Sequence, residues 1–540
     1  MRSSLYVLLS TALTAFAVPP LPSYVGVDPA NSNATKVPGT LAHFDQLIDH
    51  ANPSLGTFKQ RYWWYTDYYK GPGSPVIMMT PGEISADGYQ GYLTNQTLNG
   101  LVAQEVGAAT ILLEHRYWGT SSPYTYLSTA NMSYLTLENN IQDLTYFANN
   151  VKLPFAKSAT NAKDVPWVLI GGSYSGALTA WTFDLAPGTF WTGLATSGPV
   201  QAISNFWEYF TPVQAGMPQN CSTDVNLVLD HIDSVFAKGS ASEVTALKKS
   251  FGLEAIEHPG DFGAAIENGP WLWQERQFFL PSAFFTFCDY VENAENTTNT
   301  TSPSQLPGAG GVGLSKALAG YAKWFSEVYL PGSCAAYNYP VWSSNSSVGC
   351  YNTYNADSPF YTDRTLNNTI DLQWYWMLCN QPFGYWQDGA PAGQPTLASR
   401  YVTAQYSTRQ CELFFPKGPQ GQTYGIAEGR TETEVNTWTG GWEITNVTRL
   451  VYTNGQFDPW RDATVSSTYR PGGPLQSTAR LPVNMVPDGG HCTDLLTQNG
   501  LANPGVKAVQ DAEISQLVGF LKEWPGSNNG GWGGSNGGGW

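Results

Sequence analysis

With 540 residues, 42% apolar and 14% aromatic, the chain holds ample hydrophobic material and is longer than one core readily organises. Its formal charge of −16 excludes the basic face that nucleic acid demands, and no Lys/Arg cluster interrupts that balance. Charged residues are only 13% of the total, about half the usual globular share of roughly 25%, and the aromatic content marks a folded protein rather than a disordered one.

Met1-Arg2, the apolar run Leu5–Leu9 and Ala15-Phe16-Ala17 have the form of a secretory signal over 1–17, with cleavage expected after Ala17. No later apolar run is long enough to span a membrane, so no membrane partner is expected. Nine Asn-x-Ser/Thr sequons, at Asn33, Asn95, Asn131, Asn220, Asn296, Asn299, Asn345, Asn367 and Asn446, predict N-linked glycans on a secreted protein. The seven cysteines all follow residue 220; their odd number requires at least one unpaired or intermolecular thiol. None has zinc-ligand spacing, so neither a metal nor a cofactor is expected.

Residues 18–40 read as a tail or short pro-segment, and 41–200 as the first part of an α/β domain. His43–His50 and Gly56–Trp64 are predicted opening strands, followed by buried strands at Pro75–Thr80 and Ala108–Leu113. Leu137, Ile141, Leu144, Phe147 and Val151 recur at helical spacing and lead into a strand over Val165–Ile170. From 201 to 430 helical stripes (Val225, Val228, Ile232, Val235 and Phe236; Val244, Leu247 and Phe251) and cysteines accumulate, which predicts a mostly helical, disulfide-stapled insertion. Asn296–Pro307 reads as a loop within it. Strand signals return at Arg449–Gly455 and Leu481–Val486, and a closing helix carries Val506, Val509, Ile514, Leu517, Val518 and Leu521, completing the α/β domain over 431–525. The residues 526–540 form a Gly/Trp tail with no apolar segment after it, so no lipid anchor is expected.

The chemistry centres on Gly171-Gly172-Ser173-Tyr174-Ser175-Gly176, between the strand Val165–Ile170 and the predicted helix from Ala177. A nucleophile elbow needs small residues there, because the turn is strained and the helix passes close to the strand. Ser173 is then the nucleophile, standing exposed at the sheet's C-terminal edge, with the Tyr174 N–H beside it and a second oxyanion N–H from Pro81-Gly82-Glu83, assigned to Gly82. A serine nucleophile needs a base and an orienting carboxylate, which in this fold follow it as acid and then His. His43, His50 and His115 precede Ser173, His231 and His258 lie in the insertion, and only His491 follows the last strand. Asp458, Asp462 and Asp488 compete as the acid; Asp458, just after the strand Leu450–Thr453, is the choice.

These residues, with Phe44-Asp45-Gln46, Thr57–Tyr62, Glu114-His115-Arg116-Tyr117-Trp118-Gly119, Asn454–Trp460 and Gly489-Gly490-His491-Cys492, resemble the serine peptidase family of lysosomal Pro-X carboxypeptidase and dipeptidyl peptidase II. Within it the chain looks closest to the secreted acid prolyl endoproteases of filamentous fungi. The resemblance implies an α/β-hydrolase fold with a large, mostly helical cap subdomain inserted between sheet strands. It also implies the triad Ser173, Asp458 and His491, cleavage after proline and activity at acidic pH. Two positions depart from the family pattern: Ser175 replaces the usual elbow Gly, and Gln381 stands where several exopeptidase relatives carry Glu, which tilts the expectation toward an endopeptidase. A proline pocket should be small, apolar and aromatic-walled, so the segment bearing Trp374, Trp376, Met377 and Gln381 is the expected substrate-binding region. Proline-specific exopeptidase action is the alternative; an esterase or lipase shares the elbow and triad order but not the other motifs.

Overall fold

The computed structural model describes residues 38–294 and 307–526. The predicted signal 1–17, nearly all of the tail 18–40, most of the loop Asn296–Pro307, the Gly/Trp tail and the sequons Asn33, Asn296 and Asn299 lie outside the described residues. The chain divides into two compact units, one from the described parts of 16–202, 365–367 and 433–540, the other from those of 203–364 and 368–432.

The first unit is built on β1 (Thr40–Leu47), β2 (Thr57–Tyr65), β3 (Val76–Met79), β4 (Ala109–Leu113), β5 (Trp167–Gly172) and β6 (Thr192–Thr196). The second contributes its own short parallel pair, β7 (Ile203–Asn205) and β8 (Gly384–Trp386), before β9 (Leu450–Gly455) and β10 (Val483–Val486) return to the first. The large sheet runs β1-β2-β4-β3-β5-β6-β9-β10. The β1–β2 and β2–β4 pairs are antiparallel and the others parallel. Every residue of β3, β4, β5 and β9 is buried, as strands covered on both faces must be, which is why β3 and the start of β5 read as unbroken apolar runs.

Helices Leu98–Val106, Leu137–Asn150, Tyr174–Leu185 and Pro504–Lys522 pack within this unit. Thr136 caps the second by accepting the Asn139 N–H, and its predicted stripe Leu137, Ile141, Leu144 and Phe147 is buried. Asn503 caps the last, accepting from Gly505 and Val506. The architecture is the α/β-hydrolase fold, with the second unit inserted between β6 and β9.

Helix Leu98–Val106 and strand β6 are among the elements of this unit that are not legible in the sequence. Helix Leu98–Val106 lacks a strong stripe, and β6 is a five-residue strand, Thr-Gly-Leu-Ala-Thr, with one large apolar side chain. Small residues suit β6 because helix Tyr174–Leu185 packs tightly on it: a Cβ on Gly193 would lie 2.6 Å from the Phe183 ring.

The inserted unit is mostly helical, with Gln219–Lys238, Ala241–Ser250, Ala283–Val291, Leu314–Trp324 and Leu372–Asn380 among its helices. Val225, Val228 and Ile232 are buried in the first of these, as their spacing requires. Disulfides Cys221–Cys288, Cys334–Cys350 and Cys379–Cys411 all lie within this unit. The seventh cysteine, Cys492, is buried in the other and forms no disulfide.

Candidate active site

Ser173 follows the last residue of β5 and immediately precedes helix Tyr174–Leu185. Its φ of 58° and ψ of −133° lie in a region that residues with a Cβ seldom adopt, and such strain concentrates at functional turns. The glycines around it make the turn possible. A Cβ on Gly171 would lie 2.0 Å from the Ser175 carbonyl oxygen, and one on Gly176 would lie 2.5 Å from that of Thr196. Ser175, standing where the family pattern has glycine, puts its hydroxyl to local use: Oγ donates to the Gly172 carbonyl at 2.7 Å and accepts the Gly172 N–H at 3.0 Å. The same hydrogen bonds hold the turn together and commit the Ser175 hydroxyl.

The expectation that Ser173 stands exposed is corrected: it is only 2% exposed. Gly82, after β3, has φ 82°, and a Cβ there would meet Ser175 and Tyr174 atoms at 3.4 to 3.5 Å. Its N–H donates to Thr80 Oγ1 at 3.3 Å, long for such a bond. Tyr174 opens the helix, so its N–H lies at the positive end of the helix dipole. The Tyr174 hydroxyl accepts from Asn140 Nδ2 at 2.8 Å and lies 3.3 Å from His115 Nε2. Burial lowers the His115 imidazole to about 4 despite the Arg116 carbonyl and Asp143 nearby, so it is neutral at ordinary pH.

The loops that carry Asp458 and His491 are joined backbone to backbone. Gln456 N–H donates to Val486 O and Phe457 N–H to Gly489 O, while the Gln456 side chain accepts the Asp488 N–H. Only glycine fits at 455, where a Cβ would lie 2.3 Å from Gly490 O. This pairing brings His491 Nδ1 to 3.0 Å from Asp458 Oδ1, with both side chains buried. Asp458 Oδ1 also accepts the Trp460 N–H at 2.9 Å, and the Cys492 N–H donates to Ser197 Oγ beyond β6. An acceptor at Nδ1 selects the tautomer with its proton there and leaves the Nε2 lone pair available. Among the described residues Nε2 is buried without a hydrogen-bond partner. Burial draws the imidazole down, but Cys492 and Asp458 outweigh it and hold His491 well above the ordinary histidine value.

The competing carboxylates are occupied elsewhere. Asp462 binds Arg461 at 3.0 Å and accepts from Thr468, whereas Asp488 is exposed on a residue with φ 54°. Trp374, Trp376 and Met377 lie on helix Leu372–Asn380 of the inserted unit, and Gln381 follows its end with its N–H on Met377 O. All four are buried, Trp374 stacking on Phe383 and Trp376 meeting Phe415 edge-on. Residues that the sequence does not single out include Asn140 behind Tyr174 and the buried carboxylates Asp494 and Glu513 near the base loop. Their only available sequence signal is polarity inside otherwise apolar segments.

Sheet order, strained elbow and a buried His–Asp pair after β9 and β10 together define a serine-type α/β-hydrolase. The chain belongs to the serine carboxypeptidase S28 family, whose model matches residues 46–258 and 333–513. It is 41% identical over 483 residues to the serine protease vicPa of Bipolaris victoriae, covering 89% of this chain and 88% of that protein. A probable extracellular serine carboxypeptidase of Arthroderma benhamiae is 28% identical, covering 89% of this chain and 66% of its own. The lysosomal Pro-X carboxypeptidase of Pongo abelii is 22% identical over 97% of this chain and 98% of its own. The protein is accordingly a serine peptidase.

Proposed function

We propose that this peptidase is secreted and hydrolyses peptide bonds on the carboxyl side of proline, more slowly of alanine, as an endopeptidase active at acidic pH. The observation that carries the catalytic assignment is the 3.0 Å contact between His491 and Asp458, with Nε2 unpartnered and Ser173 on a strained turn at the same sheet edge. In this reading Ser173 Oγ attacks the scissile carbonyl carbon while His491 Nε2 takes its proton, and Asp458 stabilises the imidazolium. The N–H groups of Tyr174 and Gly82 receive the oxyanion. Collapse of the tetrahedral intermediate breaks the C–N bond, and His491 returns its proton to the leaving amine. Water then attacks the acyl carbon while His491 Nε2 takes its proton, and collapse breaks the ester C–O bond as His491 returns the proton to Ser173 Oγ.

Proline specificity is supported by the relationship to a Pro-X carboxypeptidase and by the aromatic segment around Trp374, Trp376 and Met377. Endopeptidase action is supported by Gln381, a neutral side chain at the position where a carboxylate would pair with a free amine. Secretion with N-linked glycans is supported by the signal-like start, the sequons, three disulfides and a relative named extracellular. The test is a long peptide with an internal proline and both ends blocked, its fragments read by mass spectrometry. Cleavage after proline is expected. Loss of cleavage on blocking the ends would make the enzyme an exopeptidase, and faster cutting after Lys or Phe would overturn the proline pocket.

A further inference from the structure

Glu114 follows β4, and Arg61 lies on the neighbouring β2; neither approaches the chemistry in sequence, yet both are tied to the loop that carries Gly82. Glu114 is fully buried and receives Arg61 through two bonds, Nε to Oε2 at 2.8 Å and Nη2 to Oε1 at 2.5 Å. Glu114 Oε1 also accepts the Ala86 N–H at 3.0 Å and the Ser85 hydroxyl at 3.4 Å. Arg61 reaches the same loop from the other side, through both oxygens of Asp87 at 3.1 and 2.9 Å. Ser121 Oγ completes the set, donating to Glu114 Oε2 at 2.6 Å while accepting the Arg61 N–H at 2.8 Å. Space is closed around the pair: a Cβ on Gly119 would lie 2.1 Å from Glu114 Oε1.

A paired-fork arginine and a carboxylate in this arrangement form a rigid, charge-assisted unit. Burial works against the charge on Arg61, yet Glu114 and Asp87 hold it well above the ordinary arginine value. The clamp reaches Ser85, three residues from Gly82, and the intervening chain is tightened by the Ile84 N–H on Gly82 O at 2.9 Å. Gly82 in turn packs on Tyr174 and Ser175 of the elbow.

We propose that Glu114, acting with Arg61, is a positioning residue that holds the loop Pro81–Asp87 so that the Gly82 N–H meets the transition-state oxyanion. This inference rests on the proposed triad and oxyanion assignment. It differs from a simple fold-stabilising role because it predicts selective loss of oxyanion binding.

An alkyl fluorophosphonate separates the two roles without depending on proline. Ser173 Oγ bonds to phosphorus, fluoride leaves, the serine proton passes to His491, and the phosphoryl oxygen takes the oxyanion position. In Glu114→Gln the labelling rate constant and kcat are expected to fall about 10²-fold, as a misplaced reacting geometry costs. KM for a peptide, and binding of a peptide product that forms no oxyanion, should change by less than about threefold if uniform binding is untouched. Asp87→Asn, on the exposed side of the clamp, is a milder variant that should fold and lose less than about tenfold. A folded Glu114→Gln enzyme labelled as fast as wild type, or one that loses product binding as much as labelling, overturns the proposal. Ser173→Ala must not be labelled at all; if it is, the nucleophile assignment fails rather than the clamp.

Discussion

Ser173 and Ser175 stand two residues apart and differ in what their hydroxyls do. The Ser175 hydroxyl is bound at both faces to Gly172, so Ser175→Ala should retain most activity while costing about 1–3 kcal/mol of stability from the stranded main-chain groups. Ser173→Ala should leave a folded protein with activity lower by several orders of magnitude. Peptidase assays and thermal melts on the two variants check this, and the reverse pattern would move the nucleophile. Asp458→Asn should reduce kcat by about 10⁴-fold through the wrong His491 tautomer, whereas Asp488→Asn, altering an exposed turn, should cost far less. Comparable losses would remove Asp458 from the triad.

His491 also sets a pH expectation. In the free protein it is held above the ordinary histidine value, so it carries a proton at acidic pH and cannot act as base until that proton leaves. Acid activity therefore needs the bound substrate to lower it. Since kcat/KM reports free enzyme and kcat the complex, the acidic limb of kcat should lie at lower pH than that of kcat/KM. Coincident limbs would contradict the account.

Among the elements, the strands buried on both faces are readable because a run such as Val76–Met79 has no polar alternation to hide it. β6 is not, because its fitness for the sheet lies in what its residues avoid touching. The same logic separates two glycines. Gly176→Ala would drive a Cβ to 2.5 Å from the Thr196 main chain, forcing helix and strand apart, and should sharply reduce the yield of folded protein. Gly519, on the closing helix, has nothing within 4 Å of where an added methyl would sit, so Gly519→Ala should stabilise by about 0.5–1 kcal/mol. Urea titration of both variants gives the comparison, and equal effects would refute the packing argument.

For the whole molecule, buried acids decide how stability varies with pH. Asp494 and Glu513 are both fully buried and adjoin the base loop and closing helix; Thr196 donates to Asp494 at 2.7 Å. Glu513 lies against Thr453 and Asp494, so two buried carboxyls adjoin each other. Burial, with the Asp458 charge adding to it, pushes Asp494 up to about 6. Burial and then the Asp494 charge lift Glu513 well above the ordinary carboxylate range. In the inserted unit burial raises Glu292, which is close to Asp224, and Asp388, each to about 8, and lifts Glu267 as well. A carboxyl raised in the folded state keeps a proton that the unfolded chain releases, so folding stability falls as pH rises from the ordinary carboxylate value through the folded one. His115, lowered to about 4, works the other way between that value and its ordinary 6.5, but one imidazole is set against five carboxyls. The melting temperature should be highest near pH 4 and decline toward pH 8; a flat or rising curve over that range would show that these groups do not control it.

Local chemistry in the sequence was enough to determine the elbow, buried strands such as Val76–Met79 and the amphipathic helices. Those features depend on residues within one turn or one strand of each other, where spacing translates directly into geometry. The place of Asp458 after its strand already favoured it over Asp462 and Asp488, but only the tertiary structure put it against His491, committed Ser175 to its own turn and enclosed Ser173. It alone joined Arg61 to Glu114 and Asp494 to the region of Glu513. Such partners are brought together by the sheet's crossovers, and a lone Glu or Asp in a sequence looks the same whether it will face solvent or be buried against another charge.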